Sequence, residues 1–446
     1  MGTKKGVDVI IEDLSGHPCC PHGPTILFAR IVKGERKHFF ACAAYRERKH
    51  CNFFLWENER DRLSHLKMDK RKQEIKELLN KVNHRKKFVT LNKINSLPLS
   101  NRIYCSSCQQ FVLKNRDTHE SHTLIKGITD YQLNHPSEIM PSLEDTKREA
   151  QYLFSKSAVI DIVNIFRDLQ YRNVICVGTP RIHEYIRNSC NDMKSILLDI
   201  DRRFHDFFGP LEYCWYNLFN HHFFFNEARD VFKEFLKSDK ANGTVLVTDP
   251  PFGGRVESVA FTLSNISSEY KRLNKVDCDL PIFWIFPYFM EPQILNHLPS
   301  FKMLDYKVDY ENHLLFHDGP KGRKYGSPVR IFSNIDPGLI KLPEDNYNFC
   351  KLCNRWVAKN NTHCSFCKAC PSKDGRTYIH CFDCKKCVKP TWKHCKNCNR
   401  CAQIDHKCEL IEFTKNCFHC KAPGHKRSEC PQLNKPSGVK RKGCNT

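Results

Sequence analysis

Thr244-Val-Leu-Val-Thr248 runs without a break into Asp249-Pro250-Pro251-Phe252-Gly253-Gly254. The first five residues are aliphatic or β-branched, which predicts a buried β-strand. Two prolines and two glycines directly after them predict an abrupt turn out of that strand. Similar short apolar runs occupy 174–177, 195–199 and 281–286. The middle of the chain is therefore expected to contain several buried strands.

Helical periodicity separates these apolar runs. The pattern predicts helices over 145–170, 183–190 and 226–237, an aromatic core segment over 204–225, and a final hairpin that pairs 314–316 with 329–332. Short apolar strands that alternate with helices are typical of an α/β fold whose mostly parallel sheet lies between two helical layers. Ligands of such sheets bind beyond the carboxyl ends of the strands. The turn at Asp249 is therefore expected at the ligand-binding edge.

The residues of this turn suit methylation of an exocyclic amine. The lone pair of such an amine is delocalised into the ring, so the site must accept hydrogen bonds from both N–H groups. The carboxylate of Asp249 can accept one and the carbonyl of Pro250 the other, on a backbone fixed by the φ angles of two prolines. The ring of Phe252 offers a face for the base. A proline-rich turn without catalytic function is the alternative.

Asp249–Phe252 resembles the Asp/Asn-Pro-Pro-aromatic signature of class I S-adenosylmethionine-dependent methyltransferases that act on amino groups. The resemblance implies a Rossmann-like methyltransferase domain, expected over 140–340, and S-adenosylmethionine as the methyl donor. It also implies that these four residues, Asp249, Pro250, Pro251 and Phe252, form the catalytic loop.

The same resemblance places the donor after the first strand, at Gly178, Thr179 and Pro180. This loop departs from the family pattern, since it has one glycine where two or three are usual. The family also has an acidic residue about 20 positions later that binds the ribose of the donor. Asp199 and Asp201 both have suitable positions, and the sequence does not decide between them.

Composition narrows the class of protein. The chain has 446 residues, with 71 Lys and Arg against 49 Asp and Glu, so its formal net charge of +22 favours a polyanionic partner. No apolar run approaches the roughly 20 residues of a membrane helix, and no apolar segment follows the N-terminus as in a secretory signal. The 26 cysteines and 22 histidines are expected to bind metal rather than form disulfides.

Two zinc modules are predicted before the methyltransferase domain. Over 15–60, Cys20, His22, Cys42 and Cys51 with the aromatic residues after them resemble a GRF-type zinc finger, and Cys19 competes with Cys20 as a ligand. Over 101–125, Cys105, Cys108, His119 and His122 resemble a C2H2 finger whose histidine spacing is short, with His135 as a fallback ligand. The charged segment 61–100 between them is expected to be a solvent-facing helical connector.

A repeat of Cys-x2-Cys pairs predicts an interleaved zinc module over 345–410. Twelve cysteines and four histidines divide into four sites of three thiolates and one imidazole. The simplest assignment is Cys350/Cys353/His363/Cys370, Cys364/Cys367/His380/Cys387, Cys381/Cys384/His394/Cys401 and Cys395/Cys398/His406/Cys408. These four interleaved sites, called the ladder below, resemble the zinc module of Asp-His-His-Cys palmitoyltransferases. The sequence has neither the Asp-His-His-Cys motif nor predicted membrane helices, so acyl transfer is rejected as a function. A ubiquitin-ligase cross-brace is another way to interleave such ligands.

The C-terminal part adds a fifth type of module. Cys417, Cys420, His425 and Cys430 have the spacing of a CCHC zinc knuckle over 415–432, and a basic tail follows over 433–446. Zinc knuckles typically bind single-stranded nucleic acid. With the other modules this makes about seven predicted zinc sites.

The order of modules resembles that of the CCHC-type zinc-finger rRNA adenosine N6-methyltransferases, over nearly the full chain. The resemblance implies an adenosine of large-subunit rRNA as target, a nuclear and nucleolar location with the cytoplasm as a further possibility, and ribosome-biogenesis or RNA-processing proteins as candidate partners. The residues alone imply a nucleic-acid methyltransferase with zinc-dependent binding modules. Methylation of adenine in DNA, or a zinc-finger adaptor that has lost donor binding, are the alternatives.

Overall fold

A computed structural model describes residues 7–32, 35–45, 47–62, 65–80, 82–113, 119, 121–141, 151–237, 243–313, 315–316, 323–324, 326–406 and 408. The predicted CCHC knuckle and the basic tail lie outside these residues. No described helix is both long enough and apolar enough to cross a lipid bilayer.

The N-terminal module is a small antiparallel β-structure. Its strands are β1 (Val7–Ile10), β2 (Cys19–Cys20), β3 (Gly23–Pro24), β4 (Ile26–Val32), β5 (Glu35–Ala41) and β6 (Phe54–Trp56). One sheet has the order β1-β4-β5-β6, and β2 pairs with β3. Because a module of this size buries little apolar area, aromatic stacking matters: Phe28, Phe39 and Phe54 lie in a row with ring centroids 5.5 and 5.0 Å apart.

Three helices and a second small sheet follow. The elements are α1 (His65–Asn80), α2 (His84–Asn95), β7 (Ile103–Cys105), β8 (Gln110–Phe111), β9 (Leu124–Lys126) and α3 (Asp130–Asn134). The expectation of a solvent-facing connector is wrong for α2. Phe88, Leu91 and Ile94 recur every three residues, so they share one face of the helix and pack into the main core. Asn83 caps this helix, since its side chain accepts from the backbone N–H of Lys86 at 2.9 Å.

The central domain is built on an eight-stranded sheet. Its elements are α4 (Lys156–Asp168), β10 (Tyr171–Val177), α5 (Pro180–Ser189), β11 (Lys194–Asp199), β12 (Tyr213–Asn217), β13 (His222–Phe223), α6 (Asn226–Leu236), β14 (Gly243–Thr248), α7 (Val256–Asn274), β15 (Ile282–Pro287), α8 (Glu291–His297), β16 (Lys302–Met303) and β17 (Val329–Ser333). The strand order is β13-β12-β11-β10-β14-β15-β17-β16. The five strands from β12 to β15 are parallel, and β13, β17 and β16 pair antiparallel.

Alternating residues of each strand face two separate cores. In β10, Val174 and Cys176 contribute to the core beneath α4 and α5, while Ile175 and Val177 contribute to the core beneath α6, α7 and α8. A strand buried on both faces must be apolar throughout, which is why these strands appear in the sequence as continuous apolar runs. The predicted α/β class with helices on both sides of a mostly parallel sheet is confirmed.

Two of the predicted elements differ in the structure. In the described part of the first predicted helix, from residue 151 onward, the helix runs from Lys156 to Asp168, and Ser155 caps it by accepting from the N–H of Ala158 at 3.2 Å. Residues 145–150 of that prediction lie outside the described residues. The predicted hairpin is wrong: 315–316 lies in a turn, and β17 pairs instead with β15 and β16. The aromatic segment 204–225 is mostly buried, as expected.

The described C-terminal residues, 345–406 and 408, contain three paired hairpins in succession. They pair β18 (Tyr347–Cys350) with β19 (Arg355–Ala358), β20 (Ile379–Cys381) with β21 (Lys386–Val388), and β22 (Trp392–Cys395) with β23 (Arg400–Gln403). In each turn, the residue after the second cysteine of a Cys-x2-Cys pair has a positive φ: 47° at Asn354, 49° at Lys385 and 48° at Asn399. The same backbone recurs at Gln109 and Lys368, so each of these pairs forms the same tight turn.

The first hairpin is fixed to the edge of the central sheet by buried polar contacts. The carboxylate of Asp305 accepts from the N–H of Ala358 at 2.8 Å and from the side chain of Asn361 at 2.7 Å. The hydroxyl of Tyr347 accepts from the N–H of Lys307 at 2.9 Å. These bonds satisfy polar groups that would otherwise be buried without partners, so they set the position of the ladder on the sheet.

Candidate active site and metal centres

A cavity opens at the carboxyl ends of β10, β11, β12 and β14. Its wall is formed by residues 151–152, 177–178, 198–201, 216–219 and 249–252. All four predicted catalytic residues line it, as do Gly178, Asp199 and Asp201. Thr179 and Pro180 are not part of this wall; they are buried at the start of α5.

Gly178 begins the loop that the resemblance assigned to the donor. Its φ is +65°, a left-handed conformation that a residue with a side chain adopts only at a cost. Its N–H donates to the carbonyl of Leu198 at 2.9 Å, which joins the end of β10 to β11. A single glycine is therefore enough to turn this loop, although the sequence has fewer glycines than the family pattern.

The geometry favours Asp199 over Asp201 as the acceptor for the ribose of a donor. Both carboxylate oxygens of Asp201 accept from Arg203, at 2.6 to 3.0 Å from Nε and Nη2. Asp199 accepts from the backbone N–H of Asp201 at 2.9 Å, and it lines the cavity, where no charged side chain of the described residues donates to its carboxylate. Burial, with the charge of Asp201 nearby, raises the pKa of Asp199 to about 7.

The loop after Asp199 is braced from outside the methyltransferase domain. Lys87 of α2 pairs with Asp206 at 2.6 Å. Phe207 packs between Tyr104 and Phe111 of the second small sheet, with ring centroids 5.5 and 5.1 Å apart. The predicted connector and C2H2 module thus support the wall of the donor cavity, a role that their sequence did not indicate.

The backbone of Asp249 lies beside Gly178. Its backbone N–H donates to the carbonyl of Val177 at 3.4 Å, and the hydroxyl of Tyr310 donates to its two carboxylate oxygens at 3.0 and 3.1 Å. Burial raises the pKa of Asp249 well above its usual range, and the bond from Tyr310 opposes that rise. The acid that was predicted to accept from an amine is therefore partnered by a buried phenol.

Phe252 belongs to an aromatic wall. Its ring centroid lies 5.4 Å from that of Tyr152 and 5.9 Å from those of Tyr310 and Phe316. These three neighbours of Phe252 were not predicted from the sequence. They come from segments before α4 and between β16 and β17, and no local motif marks them.

The N-terminal module lies against the catalytic loop. The side chains of Asn217, the last residue of β12, and Asn220, three residues later, donate to the carbonyl of His22 at 2.8 and 3.1 Å. Arg255, directly after the catalytic loop, donates to the carbonyl of Val7 at 3.0 Å, and its guanidinium lies 5.3 Å from the ring centroid of Phe28. A groove between the two parts is lined by residues of both, including 41–45 and 253–255.

The predicted ligands of both N-terminal zinc sites meet in space. Cys20, His22, Cys42 and Cys51 form one group and Cys105, Cys108, His119 and His122 another, each with its ligand atoms within 4.8 Å of one another. Cys19 is exposed and outside the first group. The fallback ligand His135 stacks on Tyr131 instead, with ring centroids 4.0 Å apart.

The ladder has the interleaved pairing expected from the sequence. Three groups contain the ligands of the first three predicted sites. In the fourth group, the thiol of Cys408 lies 3.6 Å from the thiol of Cys395 and 3.4 Å from Nε2 of His406. The same Nε2 lies 3.3 Å from the thiol of Cys398. Three thiolates and one imidazole at such spacing suit tetrahedral Zn²⁺. The CCHC knuckle ligands Cys417, Cys420, His425 and Cys430 lie outside the described residues.

Loss of one ladder ligand should remove one metal ion. Because the thiol of Cys384 lies 3.2 Å from Nδ1 of His394 within its group, Cys384→Ser is expected to lower zinc content by about one ion per chain. Elemental analysis of purified protein measures this. Cys278→Ser is the matched control, since Cys278 is an exposed free cysteine outside these groups. Equal zinc content in both variants would contradict the ligand assignment.

Donor binding should weaken in mild acid. With its pKa near 7, Asp199 loses its charge below pH 7 and with it the ability to accept from two ribose hydroxyls. Calorimetry should therefore give an S-adenosylmethionine affinity up to about tenfold lower at pH 6 than at pH 8. Asp199→Asn should bind weakly at both values of pH. If this variant kept the full pH dependence, another group would be responsible.

Comparisons with known proteins agree with this geometry. A family model described as probable N6-adenine methyltransferase matches residues 145–334, and a GRF zinc finger model matches residues 18–60. The chain is 45% identical to the human rRNA N(6)-adenosine-methyltransferase ZCCHC4, covering 93% of this chain and 83% of that protein. It is 45% identical to the protein of the same name from Xenopus tropicalis (96% and 89% covered) and 46% identical to that from Bos taurus (96% and 86% covered).

Identity at this level over nearly the whole of both chains extends beyond the catalytic domain to the zinc modules around it, so the chain belongs to the rRNA N(6)-adenosine-methyltransferase ZCCHC4 family.

Proposed function

We propose that this protein transfers a methyl group from S-adenosylmethionine to N6 of an adenosine in RNA, and that the RNA is large-subunit rRNA. The observation that carries the proposal is the single cavity in which Gly178, Asp199 and the loop from Asp249 to Phe252 meet. The names of the relatives, all rRNA N(6)-adenosine-methyltransferases, support rRNA as the substrate.

S-adenosylmethionine supplies, when bound, a methyl group that its sulfonium makes electrophilic. The carboxylate of Asp249 and the carbonyl of Pro250 accept from the two N6–H groups of the adenine, which turns the nitrogen lone pair towards the methyl carbon. The N–C bond forms as the C–S bond breaks, and the nitrogen then loses one proton, for which the oxygens of Asp249 are in place. Alignment of the two reactants in a fixed cavity accounts for much of the rate.

The zinc modules are proposed to bind and position the RNA. The ladder over 350–408 has 13 Lys and Arg against 3 Asp, and such charge gives salt-dependent affinity for phosphate. Phe366 and Phe382 of this ladder are 65% and 67% exposed, with ring centroids 4.9 Å apart. Exposed aromatic rings on a basic surface suit stacking with unpaired bases.

The proposed place of action is the nucleus and nucleolus, with the cytoplasm as a further compartment. The supports are the net charge of +22 and the rRNA named for the relatives. Ribosome-biogenesis or RNA-processing proteins are proposed partners, since the RNA would be met in their company. Imaging of the tagged full-length chain beside a nucleolar marker tests the location.

The catalytic assignment is tested with purified full-length protein, tritiated donor and total cellular RNA, followed by nucleoside analysis. Label is expected in N6-methyladenosine, and Asp249→Ala should reduce it by about a hundred- to thousandfold, because the amine loses its main acceptor. Zinc content and RNA affinity should stay close to wild type. Label in DNA instead would favour a DNA methyltransferase, and absence of both label and donor binding would favour an adaptor.

The position of Arg255 predicts a phosphate contact beside the catalytic loop. Arg255 lies at the groove between this loop and the N-terminal module, so Arg255→Gln should weaken RNA binding. The slope of log affinity against log salt should fall by about 0.7, the value for one phosphate of a single strand. Arg255→Lys should keep the slope because it keeps the charge. Fluorescence anisotropy across a salt series measures it, and an unchanged slope in Arg255→Gln would contradict the contact.

A further inference from the structure

Tyr310 is the buried partner of the proposed catalytic carboxylate. Its hydroxyl donates to Oδ1 of Asp249 at 3.0 Å and to Oδ2 at 3.1 Å, and the tyrosine side chain is fully buried. Among the described residues, these are the hydrogen bonds that the carboxylate of Asp249 accepts. Neither the sequence motif nor its usual chemistry includes this tyrosine.

The phenol is held in place from several sides. Its ring packs against Phe154, with centroids 5.3 Å apart, and the two residues form a backbone bridge. The N–H of Tyr310 donates to the carbonyl of Phe316 at 3.1 Å, and the N–H of the following residue, Glu311, donates to the carbonyl of Leu153 at 2.9 Å. A side chain fixed at both its backbone and its ring can hold its partner at one orientation.

We propose that Tyr310 is a positioning residue for methyl transfer: its hydroxyl donates to the carboxylate of Asp249 and fixes the orientation of that group, so that the remaining lone pairs of its two oxygens face N6 of the adenine. A carboxylate that accepts from a phenol keeps lone pairs for a second donor. A buried carboxyl without such a donor favours the protonated form, which would offer the amine a hydrogen-bond donor instead of an acceptor. The inference rests on the proposed function, since it requires an amine as the substrate.

Burial and the Tyr310 hydrogen bond act on Asp249 in opposite directions. Burial raises the pKa of Asp249, and the Tyr310 hydrogen bond lowers it. The pKa of Tyr310 is itself held well above its usual range by burial and by the charge of Asp249, so the phenol keeps its proton. The other titratable groups nearby are Asp199 and Asp201, on the cavity wall, and Asp309 and Tyr152, beside Tyr310.

Tyr310→Phe removes the hydroxyl and keeps the ring. The full-length variant is expected to lose roughly ten- to hundredfold in kcat at pH 7, the effect of one hydrogen bond to a charged group. Its affinity for S-adenosylmethionine should stay near wild type. Because the carboxyl loses the bond that lowers its pKa, the acid limb of the pH profile of kcat/KM should move to higher pH, and raising the pH should restore part of the activity.

Tyr306→Phe is the matched control. Tyr306 comes from the same segment and its buried hydroxyl also donates to an aspartate, Asp161, at 2.7 Å, but this aspartate, unlike Asp249, is not part of the cavity wall. This variant should keep the wild-type pH profile even if its melting temperature falls.

Two outcomes would overturn the inference while leaving the proposed function intact. One is a Tyr310→Phe enzyme with wild-type kcat and acid limb. The other is an equal loss in both variants with no shift of the acid limb, which would make the tyrosine purely structural. If the wild-type enzyme itself methylates no adenosine in RNA, the proposed function fails instead, and the two failures are distinguishable.

Discussion

The site depends on the pairing of two parallel strands. In the register between β10 and β14, Val177 lies opposite Thr248. The residues that follow, Gly178 and Asp249, are therefore neighbours although 71 positions separate them in sequence. A Cβ on Gly178 would lie only 3.5 Å from the carbonyl oxygen of Asp249. Donor loop and acceptor loop are thus brought together by backbone hydrogen bonds, before any side chain of the site is considered.

Much of this arrangement could be predicted because its signals are local. Asp249–Phe252 follows its strand directly, and the zinc ligands of each group are spaced closely enough to be recognised by counting. The choice between Asp199 and Asp201 could not be made from sequence, because it depends on where Arg203 points. The guanidinium of Arg203 donates to the carboxylate of Asp201, whereas the carboxylate of Asp199 can still accept hydrogen bonds from a ligand.

The contacts that sequence could not predict are non-local. Tyr310 lies 61 positions after Asp249 in sequence, yet its hydroxyl contacts the carboxylate of Asp249. Tyr310 belongs to the segment that connects β15 to its antiparallel neighbour β17. A hairpin between 314–316 and 329–332 is the simplest expectation for two nearby apolar runs. In the structure the second run forms β17, which pairs antiparallel with β15 and β16 at the edge of the sheet. The face of α2 is another such case, since three apolar residues among many charges do not reveal that a core lies beside them.

The ladder and the sheet also differ in the number of residues that separate the groups they bring together: zinc ligands in the ladder and paired strands in the sheet. Each ladder group closes over a short span, for example from Cys350 to Cys370, whereas the sheet is complete only when β17, starting at Val329, has joined β15. During synthesis the sheet therefore has all its strands before the first ladder ligand leaves the ribosome. The hairpins can then close one after another, each as soon as its last cysteine emerges, and the Asp305 contacts give the first of them a finished surface to fold upon.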